Sequence, residues 1–386
     1  MTSASGLKKL VLLGAGHAHV QVLHGLAQSR PADLDVTLIA PHARQLYSGM
    51  VPGFVAGHYA LDECVIPLPH LVAGSGARHL PTSGIAVDPD AQTVTLATGE
   101  VIGWDWLSIN TGPVMDRDRI EAAMPGARKH ALFVRPIEAF GQLWPQVMAM
   151  AQQQSLHLAV IGAGAAGLEL AMAAAWALRA GHADAPHHVT LLTGGPPPAA
   201  NYPAGVQRRI AAALRRLQIT VLPDACAGME PGQLVLASGA RLACDAPLVA
   251  VGAMAPPWLA GSALALDDAG FVAVNAFQQS TSHPRVFAAG DVATRVDVAH
   301  PRSGVYAVRA GEPLLANLRA AMAGQTLAAW PPPARTLNLL ACGDRYAIAA
   351  WGGLSFEGRW VWRWKDRIDR RFIARYGGAA SAAAAT

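Results

Sequence analysis

Cysteine is scarce in this chain, and its placement excludes more than its number. Cys64, Cys226, Cys244 and Cys342 are the only four in 386 residues, and no two stand as C-x-x-C. A disulfide framework and a thiolate zinc site are therefore not expected, and the thiols read as reduced and buried in a cytoplasmic protein. Charge is sparse as well: 15% of residues are charged, the net charge is +4, and there is no basic stripe of the kind nucleic-acid binders carry. The 38 glycines follow no fixed period, which excludes collagen-like and low-complexity readings. Residues 156–180, LHLAVIGAGAAGLELAMAAAWALRA, come nearest to a membrane span. Their glycine-rich centre and Glu169 fit a strand, a turn and a helix better. The first residues, MTSASGLKKLVLLGAG, run into a glycine turn and histidines instead of a small-residue cleavage site, so no signal peptide is expected.

What is present is apolar. Hydrophobic residues make up 52% of the chain and mean hydropathy is +0.26, enough for two or three buried cores. One pattern occurs twice. Residues 7–28 and 156–180 each read as strand, glycine turn and helix, and each is followed by a second apolar strand, DVTLIA (35–40) and HVTLLT (188–193). Two β-α-β units predict two doubly wound domains with a nucleotide at the carboxyl ends of each set of strands. Residues 93–113 and 233–256 repeat a hairpin followed by a short strand. HPRVFAAGDVA (283–293) adds a buried strand ending in Gly290-Asp291, and 304–324 is helix-like. After Pro331-Pro332-Pro333, two or three strands are expected over 337–358, an aromatic, basic helix over 359–376, and a disordered tail over 377–386.

The second turn is a complete G-x-G-x-x-G, with Gly162, Gly164 and Gly167 serving the tight turn, the approach to a pyrophosphate and the helix-strand packing. The helix N-terminus behind it offers free N–H groups to phosphates. The first turn has Gly14 and Gly16 but His19 at the third place. The acid that would clamp a ribose is replaced by Ala40 in the first unit and Thr193 in the second, which leaves NADH versus NADPH open. Asp291 after a buried strand suits a ribityl hydroxyl, or else caps the next helix. His17 and His19 are two apart with no acid or thiol nearby, so packing or flavin contact is expected and no metal.

These elements, GAGHAH, SINTGP, GAGAAGLE, VAVGAMAP and VFAAGD in that order, resemble the pyridine nucleotide-disulfide oxidoreductases over nearly the whole chain. Within that family, GAGHAHV, LYSGMVPGFVAGHY, GVYAVRAG and the WKDRIDRRF stretch are similar to the oxidoreductase domain found fused to selenide, water dikinase. More distantly the chain resembles type II NADH dehydrogenases and sulfide:quinone oxidoreductases. The implied fold is α/β, with two Rossmann-like doubly wound domains and a small C-terminal α+β domain. The FAD domain would take residues 1–113 and 246–325, the NAD(P)H domain 114–245, and the C-terminal domain 326–376. The resemblance puts FAD at Gly14, Gly16, His17, Ala18, Ala40, Arg44, Ser48, Thr111, Gly112, Gly290, Asp291 and Tyr306. It puts NADH or NADPH at Gly162, Gly164, Gly167, Thr193 and Gly252, and makes Glu169 and Pro52 the catalytic candidates.

The departures narrow the reading. Residues 47–53 fall where disulfide reductases carry their cysteine pair, and hold none, so no dithiol step is expected there. Val305 and Arg309 stand where type II NADH dehydrogenases have a glutamine pair. Cys342 has no cysteine partner for sulfur transfer and reads as a small buried residue. Glu169 is either a proton relay or a helix carboxylate satisfied by backbone. The 359–376 helix is either a membrane-surface helix at the inner face or a packed one with solvated charges. The expected activity is an FAD-dependent NAD(P)H oxidoreductase passing electrons to a quinone-like or other small acceptor. The alternatives are a selenium- or sulfur-handling flavoenzyme and a flavin-bound structural or sensing module.

Overall fold

The computed structural model describes residues 7–181 and 186–377. The expectation of a disordered tail falls, from residue 378 on, outside the described residues. The first apolar strand, Lys8–Leu13, is buried along its last four residues and sits at the centre of a five-stranded parallel sheet. Leu34–Ile39 and Arg78–Leu80 follow on one side, Trp106–Ile109 and Val286–Ala288 on the other. The second unit repeats this around His157–Ile161, flanked by His188–Leu192 and Thr220–Leu222 on one side and by Ala246–Val249 and Leu132–Phe133 on the other.

The duplication extends to single hydrogen bonds. Each unit carries a three-stranded antiparallel flap, Gly84–Asp88 with Thr93–Leu96 and Val101–Gly103, and Cys226–Glu230 with Gln233–Leu236 and Arg241–Ala243. Each flap returns to its sheet through an aspartate. Asp105 Oδ2 accepts the Lys9 N–H and Asp245 Oδ2 accepts the His157 N–H, both at 2.8 Å. The register corrects one expected boundary. Ala246–Val249 pairs in parallel with His157–Ile161, so the chain is still in the second sheet at 246 and rejoins the first only with Val286–Ala288.

Residues 156–180 divide into a strand and the helix Ala165–Gly181, and no helix among the described residues is long and apolar enough to cross a membrane. Residues 304–324 form two helices, Gly304–Arg309 and Gly311–Met322. The C-terminal unit is a three-stranded antiparallel sheet, Leu337–Ala341, Ala347–Trp351 and Leu354–Gly358, followed by the helix Arg359–Tyr376. Leu340, Cys342, Ile348 and Ala350 belong to the same buried cluster as helix Ala165–Gly181, so this unit shares the main core. Its helix packs Trp362 against His58 but leaves Trp360 55% and Trp364 42% exposed, their rings stacked at 6.5 Å.

Candidate functional site

The first glycine turn is built around a residue that sequence reasoning passed over. Asn110, at the end of Trp106–Ile109, accepts through Oδ1 from the N–H groups of Ala18 and His19, both at 3.1 Å. Its Nδ2 donates to the Ala289 carbonyl at 2.6 Å, and its own carbonyl accepts the Gly16 N–H at 3.0 Å. A Cβ on Gly14 would lie 2.6 Å from that carbonyl, and one on Gly16 would strike Asn110 Oδ1. These two glycines are thus required by Asn110 as much as by any ligand. Ala18, expected at the cofactor, is fully buried with its amide committed to Asn110, so it has no donor to offer. Among the described residues, the amides left without a hydrogen bond at this helix start are those of Ala15 and His17.

His19 fills the place of the missing third glycine. The buried ring donates from Nδ1 to the Gly14 carbonyl at 2.5 Å, which leaves Nε2 to accept from the Ser108 hydroxyl at 2.8 Å. Burial pushes its pKa down to about 4, so it is neutral. His17 is held separately by Ser48 Oγ at 3.2 Å and by the Gln45 amide, and burial together with Arg135 pushes it down to about 4 as well. Among the described residues no group of three His, Cys, Asp or Glu side chains is placed to hold a metal.

The second turn is trimmed differently. A Cβ on Gly162 would lie 2.6 Å from the Ala250 carbonyl, and one on Gly167 would overlap the Gly162 carbonyl. A Cβ on Gly164 or Gly252 would meet nothing within 4 Å, so open space lies over this turn. By strand register, Leu248 and Ala250 stand where the first unit has Ser108 and Asn110. The polar trio His19, Ser108 and Asn110 is therefore replaced as a set by Gly167, Leu248 and Ala250. Thr193 is held by its amide on the Leu222 carbonyl at 3.0 Å, and Gly194-Gly195 follow it with no charged side chain.

Around the first turn, Ala40 is buried and its carbonyl accepts from His79 at 2.8 Å. Arg44, half-buried, has no ion pair among the described residues. Thr111 is exposed, and Gly112 has φ +69 with space about its Cα. Gly290 packs on Asn110. Asp291 lies in the short 3-10 turn Gly290–Val292, whose cap is Ala289, so it caps no α-helix. Burial holds its carboxyl above the usual range, against the pull of Arg135, Arg302 and His300. Tyr306 donates to the Pro333 carbonyl at 3.1 Å with its ring stacked on His300.

A buried charge cluster draws together the Gly49 turn, helix Ala165–Gly181 and the C-terminal helix. Residues 47–53 fold into a 3-10 turn, Ser48–Met50, and the start of the helix Val51–Val55. Pro52 is buried in the first turn of that helix and carries no acid, base or nucleophile, so its part is to start the helix and not to catalyse. Lys365, from the C-terminal helix, donates to the Gly49 carbonyl and to Asp369 Oδ2, each at 2.6 Å. Glu169 Oε1 accepts the Ala341 N–H at 2.7 Å. Burial pushes its carboxyl up to about 7, with Asp369 adding to the rise while Lys365 and the Ala341 amide oppose it. The backbone bond expected for Glu169 exists, yet it satisfies one oxygen only, and the group is poised to exchange a proton near neutrality. Lys365 and Asp369 were visible in sequence only as a Lys-Asp pair four apart inside a basic helix.

The family model described as pyridine nucleotide-disulphide oxidoreductase matches residues 8–311. The chain belongs to this family. An NADH dehydrogenase-like protein of Mycobacterium tuberculosis is 27% identical over 250 residues, 62% of this chain and 61% of that protein. The ferredoxin–NAD(+) reductase component of the p-cumate 2,3-dioxygenase system of Pseudomonas putida is 28% identical over 298 residues, 75% of this chain and 68% of that one. In fold, the sulfide:quinone oxidoreductase of Aquifex aeolicus superposes with a TM-score of 0.78 over 97% of this chain and 92% of that chain, at 17% identity. The chain spans about three fifths of the length of the NADH dehydrogenase-like relative it matches. All four cysteines are buried and unpaired, and burial pushes every thiol above its usual range.

Because His17 and His19 hold pKa values below that of a free imidazole, the unfolded chain takes up protons first as pH falls. The stability present above pH 6.5 is therefore lost between about 6.5 and about 4, at up to ~1.4 kcal/mol per pH unit for each ring. Urea unfolding at pH 7 and pH 5 measures this, and His19→Gln flattens the slope by about one ring's share. An unchanged slope removes the account of His19.

Proposed function

We propose that the chain is an FAD-dependent NAD(P)H oxidoreductase that delivers electrons to a quinone-like or other small acceptor without a dithiol. The observation that carries this is the presence, in one chain, of two strand-glycine-helix turns at the carboxyl ends of two parallel sheets, with a buried carboxyl, Glu169, pushed up to about 7 on the helix after the second turn. The residues fit the two nucleotides. The amides of Ala15 and His17, the space at Gly112, the cation Arg44 and the Asp291 carboxylate would hold FAD, and the open turn at Gly164 and Gly252 would hold NADH or NADPH. The flavin, when bound, supplies hydride acceptance and onward electron transfer. Glu169 holds or yields a proton at its carboxyl, and Lys365 fixes the Gly49 backbone beside it and sets the local charge. The domain division that follows is an FAD domain of residues 1–113 together with the stretch after the strand Ala246–Val249, an intervening NAD(P)H domain and the C-terminal unit.

The buried Cys342, donating to the Leu340 carbonyl, does not favour a sulfur- or selenium-carrying step. A peripheral membrane contact is favoured by the exposed face of Trp360, Trp364 and Ile368, with Phe356 and Leu354 beside it and Arg359, Arg363, Arg367 and Arg371 around it.

Anaerobic addition of NADH or NADPH to the purified yellow protein is expected to bleach its flavin absorbance, and no bleaching with either nucleotide rejects the proposal. In steady state, the pH-rate profile has an inflection near 7 that Glu169→Gln removes; an inflection that survives the substitution assigns it elsewhere. Vesicles rich in anionic lipid shift tryptophan emission to the blue, and Trp360→Ser/Trp364→Ser abolishes the shift. Equal shifts in both proteins reject the membrane face.

A further inference from the structure

We infer that a groove between the end of helix Val51–Val55, helix Ile137–Ala151 and helix Ala165–Gly181 binds a hydrophobic monocarboxylate. The groove has a volume of about 870 Å3, within the size range of small-molecule sites. Its apolar wall comes from three segments: Phe54 of the helix Val51–Val55, Trp144 and Met148 of the helix Ile137–Ala151, and Trp176 near the end of the helix Ala165–Gly181. No residue assigned above to either nucleotide turn, and neither Glu169 nor Lys365, lines it.

The rim is cationic. Arg345, in the turn between two strands of the C-terminal sheet, and Arg359, at the start of the last helix, both line the groove, and neither has an acidic partner among the described residues. The Arg345 guanidinium lies over the Trp362 ring at 5.6 Å. The acid present, Asp344, is paired with Arg216 at 2.9 Å. His58 is within 2.7 Å of the Gly343 carbonyl, and burial lowers its pKa, so it adds no charge at neutral pH. Two unpaired guanidiniums on the lining of an aromatic groove suit one anionic head on an apolar body, because arginine binds a carboxylate through two parallel N–H groups. A nucleotide would bring sugar hydroxyls to a lining in which the Tyr59 hydroxyl and the His58 ring are already bonded, to Asp366 and to the Gly343 carbonyl, and Asp344 is paired with Arg216.

Calorimetric titration of the full chain with decanoate is expected to show one saturable site. Decan-1-ol, with the same chain and no charge, binds about tenfold more weakly, and Arg345→Gln/Arg359→Gln weakens decanoate binding by about tenfold. Ala149→Trp, at an exposed lining position, fills the groove and abolishes binding with circular dichroism and thermal midpoint unchanged. Gln152→Trp, also exposed, repeats the test if that variant does not fold. Absence of saturable binding, equal affinity for acid and alcohol, or binding that survives the groove-filling variants overturns the inference. So does AMP binding that a groove-filling variant abolishes while decanoate binding is weaker than that of AMP.

Discussion

The carboxamide of Asn110 is the tie on which the first nucleotide turn rests. A single side chain accepts two amides of the helix His17–Gln28 and donates to the Ala289 carbonyl just before the Gly290 turn, while its backbone closes on Leu13 and Gly16. Three stretches that are distant in sequence thereby meet at one residue that is almost wholly buried. Buried amides without such partners carry a full desolvation cost, so the turn, the helix start and the returning strand hold their places together. A loss at Asn110 would be felt first as misplacement of Gly290-Asp291.

The charge cluster shows the opposite economy. Glu169 comes from the second domain, Gly49 from the first and Lys365 with Asp369 from the last helix. Burial is what lifts Glu169 from near 4.5 to about 7; Asp369 adds to the rise, and the Lys365 ammonium and the Ala341 amide hold it back. The C-terminal unit therefore sets the charge around Glu169. Without its helix, Glu169 would lose the cation that keeps it from rising further.

Local signals were legible in the sequence. The glycine turns, both flap-and-strand passages, the Gly290-Asp291 turn and the last helix are all dictated by short-range pattern, and they stand where the pattern puts them. What stayed hidden depended on contacts between distant segments. Asn110 was an unremarked residue beside Thr111-Gly112, because its partners lie about 90 and 180 residues away. The edge of the second domain was misread at 246, since an apolar strand does not announce which of two sheets it joins. Pro52 drew attention by its place near an absent cysteine pair, whereas Lys365 was lost among arginines.

The two glycine turns also differ by a linked set of residues. In the second unit, Gly167 lets the helix fall against the strand, and Leu248 and Ala250 close the space below it. In the first, the imidazole of His19 separates those backbones and is itself satisfied from both ends by Gly14 and Ser108. Exchanging any one of the three strands a polar group or leaves a void, so intermediates between the two forms are less fit than either. If the halves arose from one ancestor, their divergence at this corner had to pass through coupled replacements, and the pair now records two solutions that point mutation alone does not interconvert.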